Sequence, residues 1–191
     1  MAGGPTTTDL VIAAARAGAL GFLAAGYKTP AAMTAQIKEV RAATAEPFGV
    51  NVFVPGRRYP DAGRLARYLD SLGSPLGDAR WDDDGFGTAF LRSPESGAHP
   101  LYKAALADPR YTATTVTRAF SGRPARGLVN GFIVDHVDAP PAYPEINNAT
   151  RPLRAAAAAT GDTERMSLWA GQGYRLAAEL PAGEIVGRLC G

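Results

Sequence analysis

The sequence predicts an α/β protein with a helical C-terminal half. The first 92 residues alternate helix signals with short, continuously apolar segments. After Leu91 the apolar residues recur at helical spacing and no convincing strand follows until the end of the chain. Apolar strands that alternate with helices are typical of a parallel sheet covered on both faces. A composition of 46% hydrophobic and 20% charged residues over 191 positions is that of a folded globular chain.

The first elements are signalled by caps and by hydrophobic periodicity. Thr6 to Asp9 resembles a capping box in front of an Ala-rich helix that Gly18 ends. Pro30 is well placed at the start of the next helix, because the first helical position needs no amide proton. The predicted segments are helices at 6–16, 30–40 and 64–72 and strands at 20–24 and 48–54.

The stretch WDDDGFGTAFL, residues 81–91, joins two unrelated patterns. Its first half is an acidic turn, and its second half, residues 87–91, resembles the tail of an apolar strand whose beginning is absent. Pro- and Gly-rich joints divide the sequence that follows. The helices predicted there span 100–106, 113–119, 128–137, 146–159, 168–180 and 183–189.

Charge and cysteine content argue against a nucleic-acid-binding protein and against a disulfide-bonded, exported one. The formal net charge is only +2, so nucleic acid is not an expected partner. The single cysteine, Cys190, excludes an internal disulfide and favours a cytoplasmic protein. Residues 10–26 superficially resemble a signal peptide, but Asp9 precedes them and Arg16 interrupts them. We therefore expect neither export nor a membrane span.

Asn51 is the most informative single residue, because it lies inside the apolar run FGVNVFV. Either its side chain bonds to a neighbouring backbone, or it faces a ligand at the carboxyl end of a strand, where α/β sheets place their sites. The glycines of MAGG and of Gly87-Thr88 are open to the same two interpretations. They are turns, or they let a phosphate approach the backbone.

Other polar groups do not define a reaction by themselves. Arg118, Arg123 and Arg126 could clamp an anion, although a solvated basic loop is the favoured interpretation, because such loops are common on protein surfaces. His99 and His136 have no carboxylate or cysteine at ligand spacing, so no metal site is predicted. No nucleophile is paired with a base.

Longer segments carry a resemblance to a known family. They are MAGGPTTTDLVIAAARAGALGFLAAGYKTP, PFGVNVFVPG, WDDDG, GTAFLRSPESGAHPLYKAALADPRYTATTVTRAFSGRPARGLVNGFI, PAYPEINNATRPLRAAAAATGD and LWAGQGYRLA. These segments closely resemble the nitronate monooxygenases, formerly called 2-nitropropane dioxygenases. They occur in the family's order, cover nearly the whole chain and include irregular loops as well as strands.

The resemblance implies an FMN-type TIM barrel and an oxidoreductase. Family members oxidise alkyl nitronates with dioxygen and release nitrite and a carbonyl compound, with a histidine beside the flavin. On this resemblance Met1 and Gly3 would lie against the flavin ring and Asn51 would donate to it. Gly87 and Thr88 would contact the FMN phosphate.

The same resemblance assigns the C-terminal half to the substrate side. Trp169, Gly171, Gln172 and Tyr174 would lie near the pocket for the nitronate. The implied domains are an incomplete (β/α) barrel portion over residues 1–92 and a helical segment over residues 93–191.

The resemblance also explains the junction at WDDDGFGTAFL. In the family the acidic turn follows the helix after strand three, whereas GTAFL finishes strand eight; here the two abut. The expected fold is therefore a partial barrel with strands 1–3 and the end of strand 8. The resemblance implies a large internal deletion that removes strands four to seven, and an N-terminus shortened within strand one. A complete TIM barrel needs about 250 residues.

The deleted segment carries the family's histidine, and neither His99 nor His136 matches it. No catalytic residue is therefore assigned, and losing a positioned base typically costs about 10²–10⁴ in rate. Half of the cofactor contacts are also lost, which weakens or abolishes FMN binding. We expect the nitronate monooxygenase activity to be impaired or absent.

Three interpretations remain open from the sequence. The chain is a family oxidoreductase by descent, a non-catalytic remnant without flavin chemistry, or a binding module that uses the C-terminal segment as a partner surface. A remnant with few strands exposes strand edges and an apolar face. A homo-oligomer of two copies would cover them, although nothing in the sequence specifies one.

Overall fold

The structure is a computed structural model and describes residues 4–52, 62–72 and 87–190. The α-helices are α1 (Thr8–Arg16), α2 (Pro30–Ala43), α3 (Ala62–Leu72), α4 (Gly87–Phe90), α5 (Pro100–Ala105), α6 (Gly131–Asp135), α7 (Glu145–Thr160) and α8 (Ala182–Cys190). The strands are β1 (Gly21–Ala24), β2 (Phe48–Asn51), β3 (Thr114–Thr117) and β4 (Ala125–Leu128). Short 3-10 helices span Thr163–Arg165 and Tyr174–Leu176.

These elements group into two compact units, each discontinuous in sequence. The described residues of unit 1 are 4–52, 87–103 and 174–190. Those of unit 2 are 62–72 and 104–173.

Unit 1 contains the predicted parallel strand pair. β1 and β2 pair in parallel, from Gly21 opposite Phe48 to Ala24 opposite Asn51, and α2 makes the connection between them. The core beside this sheet consists of Val11, Leu23, Met33 and Val40. The expected βαβ arrangement is confirmed for these two strands. Leu23 is fully buried in this core, whereas Phe22 on the other face of β1 is 51% exposed, so the predicted coverage of both faces is not found at this residue.

Local capping explains where the first two helices begin. The Thr7 hydroxyl accepts the Leu10 amide at 3.0 Å and starts α1. The Thr29 hydroxyl accepts the Ala32 amide at 3.2 Å and starts α2, with Pro30 at its first position. Both hydroxyls satisfy amides that have no partner within the helix.

The remaining segments of unit 1 are held by polar contacts at chain turns. The Glu95 carboxylate oxygens accept the amide of Ala182 at 3.1 and 3.2 Å, which places a negative charge at the N-terminus of α8. The Gly97 amide donates to the Pro5 carbonyl at 3.1 Å. α8 packs against α1, and α4 packs against both α8 and the 3-10 helix Tyr174–Leu176.

Unit 2 combines an antiparallel hairpin with α3, α6 and α7. β3 and β4 pair from Thr114 opposite Leu128 to Thr117 opposite Ala125. The core contains Ala119, Phe120, Phe132, Ile133, Ala139 and Ala149, with Leu65, Tyr68, Leu153 and Trp169 partly buried against it.

The sequence prediction was wrong for this hairpin. Residues 113–119 and 128–137 were expected to be helical, but they contain β3, the end of β4 and the short helix α6. The run Thr114-Thr115-Val116-Thr117 is β-branched throughout and favours a strand, and short apolar runs do not distinguish the two states by periodicity. The C-terminal half is therefore not purely helical.

Two further segments differ from expectation. The strand tail predicted at 87–91 is the helix α4, whose packing against α8 decides its conformation. The helix predicted at 168–180 is an extended stretch followed by the 3-10 helix, since Gly171 and Gly173 interrupt any regular helix. β2 ends at Asn51, and Phe53-Val54 lie outside the described residues.

Within the described parts of the chain, no helix is both long and apolar enough to cross a membrane. The same residues contain no group of three His, Cys, Asp or Glu side chains that could hold a metal ion.

Candidate functional site

The carboxyl edge of the β1–β2 pair is the first part of the candidate site. Asn51 is the last residue of β2, half-buried and directly opposite Ala24. Its carbonyl oxygen accepts the amide of Ala25 at 3.0 Å, which ties the loop after β1 to the end of β2. Asn51 thus lies at the edge where parallel sheets place ligands, which is the position required by the second of the two interpretations that the sequence left open.

The loop after β1 contributes residues that sequence reasoning did not select. The Lys28 amide donates to the Ala25 carbonyl at 3.1 Å and closes a tight turn. Within that turn Tyr27 has a positive φ of 65°, in the left-handed region. The Lys28 ammonium donates to Gln36 Oε1 at 2.5 Å, and burial lowers the pKa of Lys28. Nothing in the letters AAGYK distinguishes this loop from an ordinary turn.

Gly87 and Thr88 form the first half of α4, in the same unit as Asn51. Both residues are half-buried. Because α4 packs against the 3-10 helix that begins at Tyr174, the structure brings the predicted phosphate-binding segment beside one predicted substrate residue. Tyr174 is itself only 3% exposed and contributes to the interior of unit 1.

Arg92, the first basic residue after α4, is engaged in contacts with the protein itself. Arg92 Nη1 donates to the Ala177 carbonyl at 3.0 Å, and its Nη2 lies 3.1 Å from Glu179 Oε2. Arg92 therefore links α4 to the segment before α8.

The other predicted substrate residues lie in unit 2. Trp169 forms a bridge with Gly127 of β4, and its ring meets Phe120 edge-to-face at 5.6 Å. Gly171 is half-buried and Gln172 is exposed. The predicted substrate set is therefore divided, with Tyr174 in unit 1 and the other three residues in unit 2.

The two histidines occupy different surroundings. His99 is exposed in front of α5, and its Nδ1 accepts the Leu101 amide at 3.3 Å. His136 ends α6, and its Nδ1 lies 2.9 Å from the Phe132 carbonyl. The His136 ring stacks on Phe132 at 4.1 Å and meets the Tyr68 ring edge-on at 5.9 Å. His136 is thus built into the aromatic part of unit 2.

The three arginines around the β3–β4 loop have different surroundings. Arg126 Nη1 donates to the Thr114 hydroxyl at 3.3 Å, and the Arg123 guanidinium lies 4.8 Å from the centre of the Tyr143 ring. Arg118 is exposed. These contacts favour a structural role for Arg123 and Arg126 over an anion clamp.

Some predicted positions cannot be placed on this framework. Met1 and Gly3, assigned to the flavin ring, and Trp81–Gly85, the acidic junction, lie outside the described residues.

Comparison with models of protein families shows which family the chain belongs to. The family model for nitronate monooxygenase matches residues 1–75 and 85–191 of the chain. The chain belongs to this family. The prediction from the sequence resemblance is therefore confirmed, and the nine residues between the two matched segments include most of the acidic junction.

Curated members of the nitronate monooxygenase family match part of the chain closely. The nitronate monooxygenase of Pseudomonas aeruginosa is 45% identical over 104 residues, which are 52% of this chain and 30% of that protein. A probable nitronate monooxygenase of Staphylococcus aureus is 43% identical over 106 residues, 54% of this chain and 30% of that protein. The matched region thus spans less than a third of the length of these relatives.

Solved structures show the same fold. A nitroalkane oxidase from Streptomyces ansochromogenes superposes with a TM-score of 0.89 and 30% identity, covering 100% of this chain and 92% of that chain. FabK from Thermotoga maritima superposes with a TM-score of 0.61 and 22% identity, covering 98% of this chain and 88% of that chain. The α/β fold of this nitronate monooxygenase homologue is therefore shared with both proteins.

Proposed function

We propose that this chain keeps the FMN-binding side of a nitronate monooxygenase but does not oxidise alkyl nitronates at an enzymatic rate. The family reaction consumes an alkyl nitronate and dioxygen and yields nitrite and a carbonyl compound. The observation that carries the proposal is the position of Asn51, half-buried at the carboxyl end of β2 in a parallel pair. Ligand sites of parallel sheets lie at this edge.

The described donors suit parts of a flavin. The Asn51 side-chain amide can donate to a ring carbonyl or accept from a ring N–H. The Thr88 hydroxyl, at the start of α4, can donate to a phosphate oxygen. FMN, when bound, supplies the two-electron redox chemistry of the family. In this chain Asn51 would orient the ring, and Gly87 and Thr88 would hold the phosphate.

The proposed loss of turnover follows from the histidines. The sequence contains only His99 and His136. His99 is exposed before α5, and His136 is stacked on Phe132 in unit 2 with Nδ1 directed at a backbone carbonyl. His99 precedes a helix and His136 follows one, so neither histidine ends a strand, which supports the absence of a positioned imidazole base. A missing general base accounts for a loss of about 10²–10⁴ in rate.

The proposed architecture is a partial TIM barrel. The break in the family match between residues 75 and 85 coincides with the acidic junction, which supports an internal deletion of strands four to seven. We propose that the N-terminal (β/α) portion carries the FMN contacts and that Trp169, Gly171, Gln172 and Tyr174 retain positions from the family's substrate side. A cytoplasmic location and self-association of exposed strand edges belong to the same proposal.

An FMN titration of the purified chain tests the proposal. We expect a perturbed flavin absorption band on binding, which Asn51→Ala weakens, and no nitrite release from an alkyl nitronate above that of free FMN. Asn148→Ala makes the same change at α7 in unit 2, where Asn148 Oδ1 accepts from Arg151 at 3.2 Å, and should bind FMN like the wild type. An unperturbed flavin spectrum would favour a remnant without flavin chemistry, and catalytic nitrite release would contradict the loss of turnover.

A further inference from the structure

Tyr27 adopts a backbone conformation that side chains disfavour. Its φ of 65° makes it the one non-glycine residue with positive φ among the residues that the structure describes. The other described residues with positive φ are Gly4, Gly18, Gly122 and Gly161. A Cβ in the left-handed region crowds the following carbonyl, so a tyrosine here costs stability that a glycine would not.

The conformation occurs in the turn that joins β1 to the end of β2. Ala25 donates its amide to Asn51 O at 3.0 Å and accepts the Lys28 amide at 3.1 Å, so Tyr27 is the third residue of a four-residue turn. With positive φ, this position favours glycine or asparagine. The preceding residue, Gly26, is buried, whereas Tyr27 is 50% exposed. The chain therefore holds a large aromatic ring at the carboxyl edge of the sheet despite the backbone cost.

Hydrogen bonds hold the backbone before Tyr27 and the side chain after it. Lys28 donates to Gln36 of α2 at 2.5 Å, and burial lowers its pKa. Asn51, which ends the neighbouring strand β2 at the same edge of the sheet, is half-buried. Backbone strain that the surroundings maintain is concentrated at ligand sites. The turn thus has fixed anchors at both ends and presents the aromatic residue between them.

We propose that Tyr27 is a ligand-contacting residue whose ring forms a wall of the flavin site at the carboxyl edge of β1 and β2. The inference rests on the proposed FMN binding and adds to it a residue outside the set that the sequence assigned. Aromatic rings bind planar heteroaromatic ligands by offset stacking or edge contacts, which explains why tyrosine occupies a position suited to glycine.

Substitutions at Tyr27 separate backbone cost from ligand contact. Tyr27→Gly removes the ring and also the energetic cost of the positive φ, because glycine adopts that conformation freely. Tyr27→Phe keeps both the ring and this cost. Leu20→Ala is the matched control, because Leu20 is 58% exposed at the other end of β1. Each variant is characterised by thermal unfolding without FMN and by an FMN titration followed through flavin fluorescence.

We expect Tyr27→Gly to unfold at the wild-type temperature or above it and to bind FMN about fivefold to tenfold more weakly. Tyr27→Phe should retain most of the affinity, and Leu20→Ala should match the wild type. Wild-type affinity in Tyr27→Gly, or a lowered unfolding temperature, would overturn the role of Tyr27 while the FMN proposal stands. Failure of the wild-type chain to bind FMN would overturn both.

Discussion

The indole ring of Trp169 meets the ring of Phe120 edge-to-face, with centroids 5.6 Å apart and planes at 86°. Phe120 is fully buried and also stacks on Phe132 at 4.6 Å. Trp169 therefore packs against the core of unit 2. This relationship gives the residue a structural role that its assignment to the substrate side did not include.

Replacement of Trp169 by Ala should destabilise unit 2. Since the side chain is only partly buried, we expect a loss of about 2–4 kcal/mol, at or below the range for fully buried aromatics. Trp169→Phe should lose less because it keeps a ring against Phe120. Val116→Ala is the control, since Val116 is 53% exposed in the same unit. Urea unfolding provides the measurement, and equal losses in the Ala variants at 169 and 116 would contradict the packing role.

Asn130 stabilises the start of α6 through three hydrogen bonds. Its Oδ1 accepts the Ile133 amide at 3.3 Å, and its Nδ2 donates to the carbonyls of Thr163 and Met166 at 3.0 and 2.8 Å. Asn130→Ala removes a cap and the side-chain donor of two carbonyls, of which Thr163 keeps the Met166 amide while the buried Met166 loses the Asn130 donor. We therefore expect a loss of about 2–4 kcal/mol.

Two further variants separate these contributions. Asn130→Asp keeps the cap acceptor but turns a carboxylate oxygen towards both carbonyl oxygens in a buried position, so it should destabilise at least as much as Asn130→Ala. Thr29→Ala removes only an exposed cap at α2 and should cost about 1 kcal/mol in denaturant unfolding. An Asn130→Ala loss no larger than that of Thr29→Ala would show that the carbonyl contacts contribute little.

Gly122 and Gly161 form a matched pair. Both have positive φ, 79° and 77°. A Cβ at Gly122 would lie 2.2 Å from the carbonyl oxygen of Ala142, whereas a Cβ at Gly161 has no heavy atom within 4 Å. Gly161→Ala pays only the backbone cost of about 1–2 kcal/mol. Gly122→Ala should be markedly more destabilising in thermal unfolding, and similar losses for the pair would rule out the predicted clash.

Tyr68 should make stability fall at alkaline pH. Burial raises the pKa of Tyr68, whose hydroxyl donates to the Ala119 carbonyl at 3.0 Å beside the His136 ring. Above the ordinary tyrosine pKa of about 10, the unfolded chain releases a proton that the folded chain keeps, so the free energy of unfolding decreases as pH rises.

Chemical unfolding between pH 8 and 11 measures this dependence. Tyr68→Phe should reduce the slope above about pH 10. Part of the slope should remain, because burial also raises the pKa of Tyr102. An unchanged slope in Tyr68→Phe would mean that Tyr68 does not titrate as predicted.

Local signals in the sequence were sufficient for several elements. Thr7 and Thr29 cap α1 and α2, and Pro30 begins α2, because capping involves atoms only three residues apart. The apolar runs predicted as strands at 20–24 and 48–54 contain the parallel pair β1 and β2. The predicted strand 48–54 placed Asn51 in its interior, whereas β2 ends at Asn51.

Local signals failed where neighbours in space decide the outcome. Residues 87–90 are helical because α4 packs against α8, about ninety positions later in the chain. Thr114–Thr117 becomes a strand by pairing with Ala125–Leu128, and a single short segment does not show whether such a partner exists.

By itself, the sequence determined the family, the helix caps and the parallel strands. Only the tertiary structure showed that Trp169 packs on Phe120 and that Tyr174 is buried beside α4. It also revealed the left-handed conformation of Tyr27. The physical reason is that caps and periodicity act within a few residues, whereas packing and turn geometry depend on contacts between distant segments.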